Sequence, residues 1–483
     1  SIPSSIGGYT VTKVGDKSFQ NKEITYVSLP DTVTEIGDYA FENCKNLSSL
    51  TLPENVTRLG LDIITGTAIS SITIPKSVTD CRSPFRETKL LKSVSFEYGM
   101  KKIPDTVCKG ADKIGNNISI VNIPDTVTEI GDDAFWRCKL LEDIDLPLGL
   151  LEIGRHAFCE TGLVSINIPK TVIIIENNAF ASCTFLQTAI MNYNDTVQSE
   201  NYLNIGDSAF SEDTMLNFVN LPENVENIGW SVFSGCSSLT NLTLPESVVS
   251  LGCGFISGTA ISSIKVPKSV KYTRGSYDGP FRGATCLKSI SFEDGIKVIP
   301  PSICYGSYVN SVNIPDTVTE IESDAFRRCK LLQEIVLPEN LTVIHGGAFG
   351  ESGITSIVIP KTVNEIGNFA FEECKSLQTV IMNYNNTMVK PEKGDAYLYK
   401  CSIGAEAFYG DTNLSYVSLS ENVDIIEYLA FGKCGALTSL ILPKRIISLG
   451  SQFISGTAIS SIIVPKNVTS AGNNFGGAFK GAT

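Results

Sequence analysis

A phrase of 22 or 23 residues returns along almost the whole chain, and this repeat limits the possible folds more than any other feature. Its clearest copy, VSLPDTVTEIGDYAFENC at residues 27–44, keeps proline, Ile-Gly, Ala-Phe and cysteine at fixed spacings. One such coil cannot bury its apolar face alone, so the repeat predicts a stack of coils, a solenoid. The proline or its equivalent can be followed through nineteen positions: Pro30, Pro53, Pro75, Glu97, Pro124, Pro147, Pro169, Asn192, Pro222, Pro245, Pro267, Glu293, Pro315, Pro338, Pro360, Asn383, Ser420, Pro443 and Pro465.

A second, longer period lies above the first. The phrase TGTAISSI at residues 65–72 returns as SGTAISSI at 257–264 and 455–462, and NIPDTVTEI at 122–130 returns at 313–321. We therefore interpret the chain as a duplicated block of eight coils, 26–217 and 218–415, followed by a partial third copy at 416–483. The prediction is a single continuous solenoid over residues 1–483, and we expect the third copy to continue in a longer protein.

Composition and charge exclude several classes of partner. The net charge is −13, and binding to nucleic acid rests on lysine and arginine neutralising phosphates. We therefore expect no nucleic-acid partner. The longest aliphatic run, residues 172–175, is far shorter than the roughly 20 apolar residues of a membrane span. No membrane span is expected in these residues, and the protein is expected to be monomeric.

Each coil can be read as a short sequence of local structures. Residues 49–52 alternate polar and apolar side chains, which predicts a strand with its leucines turned inward and its proline at the end. A glycine such as Gly60 is expected at positive φ in a tight bend, and Asp38 is expected to cap a short helical turn that carries Ala-Phe. The repeated phenylalanines should fill the coil interiors: Phe41, Phe135, Phe158, Phe180, Phe210, Phe233, Phe326, Phe349, Phe371, Phe408 and Phe431.

The fourteen cysteines are interpreted mainly as small buried apolar residues. Seven of them stand three positions after the repeat phenylalanine or its equivalent: Cys44, Cys138, Cys183, Cys236, Cys329, Cys374 and Cys434. We call this position, three residues after the phenylalanine, the cysteine slot. Several intervening coils carry Thr or Ser in the slot, so the slot cysteines would lie about 10 Å apart at a strand spacing of about 4.8 Å. That is too far for a disulfide, although a bridge among the other seven remains open.

The sequence contains few patterns that are typical of catalytic or metal-binding sites. The two histidines, His156 and His345, have no carboxylate or cysteine partner at ligand spacing in the sequence. No Cys-x-x-Cys pair occurs. We expect no enzymatic activity, no metal and no cofactor.

The combined pattern of proline, Ile-Gly, Ala-Phe and cysteine resembles the BspA-like, treponemal-type leucine-rich repeats over nearly all of residues 26–483. The resemblance implies an α/β, β-rich, right-handed solenoid of about 19 coils, with a parallel strand sheet on the concave side and short helical turns opposite. It also implies a secreted or surface-anchored protein that acts as an adhesin. The family supplies no catalytic residues.

Departures from the repeat are where a local function could lie. The coils that begin at Asn192 and Asn383 lengthen to 30 and 37 residues. Their insertions carry tyrosines, which give amphipathic contact area at low entropic cost. The candidate partner-binding loops are marked by Tyr193, Tyr202, Tyr384, Tyr397 and Tyr399. Ordinary tolerance of surface loops to insertion explains the same feature without a partner.

The outward residues of the predicted strands are mostly Ser, Thr and Asn, which suits either a polymer-binding sheet or a merely solvated one. The function expected from all of this is a non-enzymatic, extracellular or cell-surface module that binds a protein or glycan. The alternative is a passive spacer that presents another domain of a longer protein.

Overall fold

The computed structural model describes residues 1–112, 115–192, 202–275, 278–383, 401–472, 477–479 and 481. The chain divides into two compact units: Ser1–Ser247 with Gly258–Ala260, and Val248–Ser257 with Ile261–Thr483. Each unit is a stack of parallel-strand coils, about nineteen in all, as the repeat predicts. A single continuous solenoid over residues 1–483 stays a prediction.

Every regular coil has three sides, each built by one part of the repeat. The first face is the stretch that ends at the proline, and the second face is the short strand before the glycine, such as Glu35–Ile36. The third side carries the Ala-Phe segment, such as Ala40 and Phe41, both fully buried. Apolar residues from all three sides point into the coil, so the core is a column of stacked side chains.

First-face strands alternate exposed and buried residues, as Ser71–Ile74 shows, and they pair in parallel in groups of three. Residues 49–52 keep that alternation but form no strand, contrary to the prediction for them. Leu50 and Leu52 point inward there, where Ser71–Ile74 has two β-branched isoleucines, which favour strands more than leucine does. The first-face strands are Ser71–Ile74, Ser93–Phe96, Ile120–Asn122, Ser165–Ile168, Thr188–Met191, Phe218–Asn220, Ser263–Val266, Ser289–Phe292, Ser311–Asn313, Ser356–Ile359, Thr379–Met382 and Tyr416–Ser418.

Second-face strands are shorter but recur in more coils. In the pair Glu35–Ile36 and Arg58–Leu59, each apolar residue stands beside its counterpart in the next coil. An antiparallel hairpin of Ser5–Ile6 and Tyr9–Thr10 precedes them. The second-face strands are Lys13–Val14, Glu35–Ile36, Arg58–Leu59, Asp80–Cys81, Lys102–Ile103, Glu129–Ile130, Glu152–Ile153, Ile174–Ile175, Leu203–Ile205, Val225–Ile228, Ser250–Gly252, Tyr272–Arg274, Val298–Ile299, Glu320–Ile321, Val343–Ile344, Glu365–Ile366, Cys401–Ile403, Val423–Ile426, Ser448–Leu449 and Ser470–Ala471.

The third side is not helical anywhere in the described residues, so the expected short helical turns are replaced by another structure. Tyr39 and Asn43 both have φ near 56°, which flattens the segment between them. The Phe41 amide donates to the Ile63 carbonyl of the next coil at 2.9 Å, while the Cys44 amide donates to the Phe41 carbonyl at 3.1 Å. Alternate amides therefore bond between coils and within the coil, and no helical ladder can form.

The aspartate and glycine beside this segment also serve the stacking of coils. Asp38 Oδ1 accepts the amide of Leu61 in the next coil at 2.9 Å, so it caps its neighbour and not its own turn. Gly60 does not have the expected positive φ; a Cβ there would lie 2.6 Å from the Asp38 nitrogen. Glycine is needed because the coils approach too closely for a side chain.

The phenylalanine column is confirmed: all eleven predicted residues are fully buried. Phe180 stacks between Phe158 and Phe210, with ring centroids 5.2 and 5.1 Å apart and planes within 7°. The second unit repeats this, with Phe371 and Phe408 5.0 Å apart. Stacked rings at this separation add to the stabilisation from burial.

The cysteine slot is confirmed as a buried position, since all seven side chains are fully buried. All fourteen cysteines are free thiols. In all seven coils the slot thiol lies 2.9–3.1 Å from the backbone carbonyl oxygen of the preceding coil's phenylalanine or its equivalent, as Cys183 does with Phe158. The slot thus selects a small side chain that donates a hydrogen bond.

Replacing Phe180 with alanine should lower the free energy of unfolding by about 3–5 kcal/mol, because it empties the middle of a ring stack. Since coils are coupled through neighbours, hydrogen exchange should show the loss mainly around residues 158–210. The control is Phe185→Ala in the same coil, where the ring is 58% exposed and little change is expected. A uniform loss of protection along the chain would contradict the prediction.

Alkylation of the native protein should modify Cys286 well before the slot cysteines. Cys286 is exposed, whereas Cys138 is buried and burial raises the pKa of its thiol to about 12. Only the thiolate reacts, so Cys138 should be labelled only after unfolding by denaturant. Mass spectrometry of peptides after a short iodoacetamide pulse measures this, and early labelling of Cys138 would show that the slot opens in the native state.

Candidate binding surface

The first face presents two outward residues per coil, four and two positions before the proline or its equivalent. In the unit Ser1–Ser247 these residues are mostly small and polar, as the sequence predicts. Ser71 and Thr73 are both exposed. This part of the face offers mainly hydroxyl and amide groups, with exposed apolar side chains at Tyr26, Ile120, Ile190 and Phe218.

The second unit departs from this pattern at one outward position, the residue two before the proline. Five aliphatic residues stand at this position. The exposed fraction is 84% for Val336, 49% for Val358, 86% for Ile441 and 89% for Ile463, and Ile381 is half-buried. The expectation of mostly small, uncharged outward residues is therefore incomplete for this unit. The aliphatic column consists of Val336, Val358, Ile381, Ile441 and Ile463.

Stacking places these residues side by side across the strands. Val358 is the register partner of Ile381, and Ile381 is the partner of Ser418. Val358 and Ile381 therefore stand about one strand spacing apart, roughly 4.8 Å, and the coil of Ser418 separates Ile381 from Ile441. Val336 and Val358 also line one shallow groove together with Ser356.

The internal duplication shows what the coil accepts at these positions. Val336 corresponds to Asp145 of the first block and Val358 to Asn167. Ile381 corresponds to Ile190, while Ile441 and Ile463 of the third copy correspond to Thr243 and Lys265 of the coils one block earlier. Since polar residues fit the same coil position, packing does not require the aliphatic ones.

Other exposed groups border the column. Tyr416, 55% exposed, lies on the strand where Ser418 interrupts the aliphatic residues. Lys361, Lys444 and Lys466 are exposed and each follows the proline of a column coil, while exposed Glu339 and Glu421 stand at the same position of the coils with Val336 and Ser418. The surface therefore combines an apolar row, one aromatic ring and an edge that carries charges of both signs.

The predicted tyrosine loops fall largely outside the described residues. Tyr202 is described, and its side chain is 48% exposed. Tyr193, Tyr384, Tyr397 and Tyr399 lie outside the described ranges. A role for these loops in binding stays a prediction.

The two histidines have acidic neighbours that the sequence analysis did not find. His156 stacks on Trp136 with ring centroids 5.2 Å apart, and its Nδ1 lies 3.3 Å from Asp133 Oδ1. The Asp133 Oδ2 accepts a bond from Lys109 at 3.0 Å. This cluster joins side chains of three coils, and its cation and stacked rings fit a structural role.

His345 lies with two glutamates and is the group most able to hold a metal. Its Nε2 is 3.3 Å from Glu320 Oε2 and 4.0 Å from Glu322 Oε1. Imidazole and carboxylate are ligands that divalent transition metals accept. All three side chains are partly exposed, and such groups also gather without an ion.

Both the histidine clusters and the aliphatic column were missed for the same physical reason. Their members are about one coil length apart, so spacing rules for local motifs do not detect them. The aliphatic column could have been found by aligning the coils and comparing position two before the proline, where Val336 replaces Asp145.

Stacked coils with a strand-bearing first face, a second parallel ladder and a phenylalanine-cored third side define a leucine-rich-repeat solenoid. The chain belongs to the BspA type leucine rich repeat region family. The family model matches residues 12–120, 113–204, 203–331, 297–393 and 401–481. The resemblance stated from the sequence is thereby confirmed.

Solved structures similar to this chain include bacterial leucine-rich-repeat proteins. One from Bacteroides ovatus is 24% identical, covers 84% of this chain and 86% of its own, and has a TM-score of 0.45. A leucine rich cell surface protein from Faecalibacterium prausnitzii is 23% identical, covers 81% and 90%, and has a TM-score of 0.30. A comparison with curated proteins finds no match. In the part of the chain that the structure describes, no helix has the length and apolar character needed to cross a bilayer.

Proposed function

We propose that this chain is a non-enzymatic binding module of an extracellular or cell-surface protein, and that the aliphatic column recognises a protein partner. The observation that carries the proposal is the row Val336, Val358, Ile381, Ile441 and Ile463, which replaces mostly polar residues of the earlier block. The family match and the likeness to a Faecalibacterium prausnitzii cell surface protein support the location.

Aliphatic side chains favour a protein over a glycan at this surface. Burial of exposed Val and Ile releases water and stabilises a complex by about 1.5–3 kcal/mol for a fully buried side chain. A sugar presents mainly hydroxyl groups, which would lose hydration against Ile441 and Ile463 without gaining hydrogen bonds. A partner segment with apolar side chains meets the column without that cost.

Charged side chains of both signs border the column. Lys361, Lys444 and Lys466 are exposed beside it, and so are Glu334, Glu339 and Glu421, and opposite charge across an interface raises association rates and fixes register. The proposed ligand is therefore a protein segment whose apolar residues are flanked by charged residues of both signs. Tyr416 would supply the aromatic anchor that such interfaces favour.

The tyrosine loops are the second proposed contact, and Tyr202 is the exposed residue that supports them. The outward side chains of the column lie away from the positions that hold the coils together, so they could change without loss of the fold. A passive spacer role for the coils is the competing proposal, and it requires no specific contact at either surface.

The test replaces the column with residues from the earlier coils: Val336→Asp, Val358→Asn, Ile441→Thr and Ile463→Lys. Both proteins are screened against purified matrix proteins, bacterial surface proteins and glycans, and hits are measured by biolayer interferometry. We expect the unsubstituted chain to bind a protein from this screen and the variant to lose at least thirtyfold in affinity. One buried anchor costs about 2 kcal/mol on truncation, which is that factor.

The control removes apolar surface elsewhere in the same unit, through Val298→Lys and Leu331→Gln. Both side chains are partly exposed but lie outside the column, so binding should persist. Circular dichroism should show that all three proteins are folded. Equal affinity of the column variant, or binding to glycans alone, would overturn the proposal, and sedimentation would reveal whether the column instead joins two copies.

A further inference from the structure

Two coils place an aspartate in the slot that cysteine, threonine or serine occupies in most other coils and that Ala284 occupies in one. Asp213 stands three residues after Phe210, and Asp411 three residues after Phe408. One lies in each compact unit, at the same position of the two eight-coil blocks. Both are fully buried, although charged residues are almost never fully buried without a partner.

In each carboxyl group, one oxygen accepts a hydrogen bond and the other has no hydrogen-bond partner among the described residues. Asp213 Oδ1 accepts the backbone amide of Cys183 at 2.7 Å, and Asp411 Oδ1 accepts that of Cys374 at 2.7 Å. The second oxygen, Oδ2, is buried without a hydrogen-bond partner among the described residues in both cases. The arrangement is the same in both copies.

The surroundings disfavour a negative charge. Burial raises the pKa of both carboxyl groups well above the ordinary range, and the single amide bond opposes this only in part. Nearby acids raise it further. The titratable groups that face Asp213 are Cys159, Cys183, Glu212 and Cys236, and those that face Asp411 are Glu372, Glu373, Cys374 and Cys434.

The residues that usually occupy the slot also indicate that the carboxyl groups are neutral. Its usual occupants donate: the Cys183 thiol bonds to the Phe158 carbonyl at 3.0 Å, and the Thr67 hydroxyl to the Ile64 carbonyl at 2.8 Å. A carboxylate can only accept, whereas a neutral carboxylic acid has an O–H to donate. Protonation removes the charge that burial disfavours, and the neutral acid then resembles the uncharged residues that it replaces.

We propose that the neutral carboxyl groups of Asp213 and Asp411 keep their coils closed, and that loss of the proton opens the stack of coils locally. This pH-dependent opening is separate from the proposed partner recognition. Both aspartates lie in the coils that carry the two tyrosine insertions, which begin at Asn192 and Asn383. A change of pH would therefore alter the chain at matched places in both units.

The direction of the pH effect follows from linkage. An unfolded aspartate ionises near pH 4, while the folded carboxyl holds its proton to higher pH. The stabilising effect is therefore complete below about pH 4 and decreases as the pH rises toward the folded pKa. In that window the equilibrium constant for local opening should increase about tenfold per pH unit.

The thiols that face the two aspartates do not cause the same pH dependence of local opening. Burial raises the pKa values of Cys183, Cys236, Cys374 and Cys434 above the usual thiol range. They remain neutral across the window in which the aspartates would ionise. Glu212 and Glu373 remain in the Asp→Asn variants described next, so their contribution cancels in the comparison.

The experiment measures hydrogen exchange of the full chain by mass spectrometry from pH 4.5 to 8, corrected for intrinsic exchange rates. We expect protection of residues 203–216 and 401–414 to fall with pH in the unsubstituted chain. In the Asp213→Asn, Asp411→Asn double variant this pH dependence should disappear. Asp143→Asn is the control, because Asp143 is exposed and its replacement should leave the pH dependence intact.

A second variant covers the case in which asparagine prevents folding. Asp213→Thr with Asp411→Thr installs the residue found in the slot at positions 67, 161, 259 and 457, so the stack should form without an ionisable acid. It should keep high protection at pH 8. The proposal is overturned if the threonine or asparagine variant shows the same pH dependence as the unsubstituted chain, or if protection near Asp213 does not change with pH.

Discussion

The fold depends on hydrogen bonds that pass from each coil to the next. A second-face pair such as Glu35–Ile36 with Arg58–Leu59 supplies one ladder, and the third side supplies another through bonds such as that from the Phe41 amide to the Ile63 carbonyl. Because the coils are held so closely, position 60 must be glycine and the slot must be small. The phenylalanine column then fills the interior that these ladders enclose.

Periodicity predicted the features that every coil shares. The buried phenylalanines, the buried cysteine slot and the parallel stacking all follow from apolar residues at fixed spacing. The geometry of the third side could not be predicted, because Ala-Phe with a preceding Asp38 fits a helical turn as well as a flattened one. The difference lies in whether amides bond within a coil or between coils, and the local sequence does not encode that choice.

The candidate binding surface could not be predicted from the periodicity of the sequence, for a different reason. Outward residues do not affect packing, so Val336 in place of Asp145 changes no period and breaks no rule of the repeat. Asp213 and Asp411 were visible as departures from cysteine, yet their burial and orphan oxygens required the coordinates. The predicted duplication helps to interpret both the aliphatic column and the buried aspartates. For the column, the first block shows which polar residues the coil position accepts. For the aspartates, both blocks carry the same replacement at the same position.

The left-handed residues of the third side carry a further consequence. Positions such as Tyr39 and Asn43 are occupied by ordinary residues at positive φ, a conformation that costs roughly 1–2 kcal/mol for a residue with a side chain. Bonds to the neighbouring coil offset this cost, so an isolated coil would keep the strain and lose the compensation. A single coil is therefore a poor module for transfer between proteins. The smallest piece that can be inherited intact is a run of coils, which agrees with the duplication of an eight-coil block that the sequence predicts.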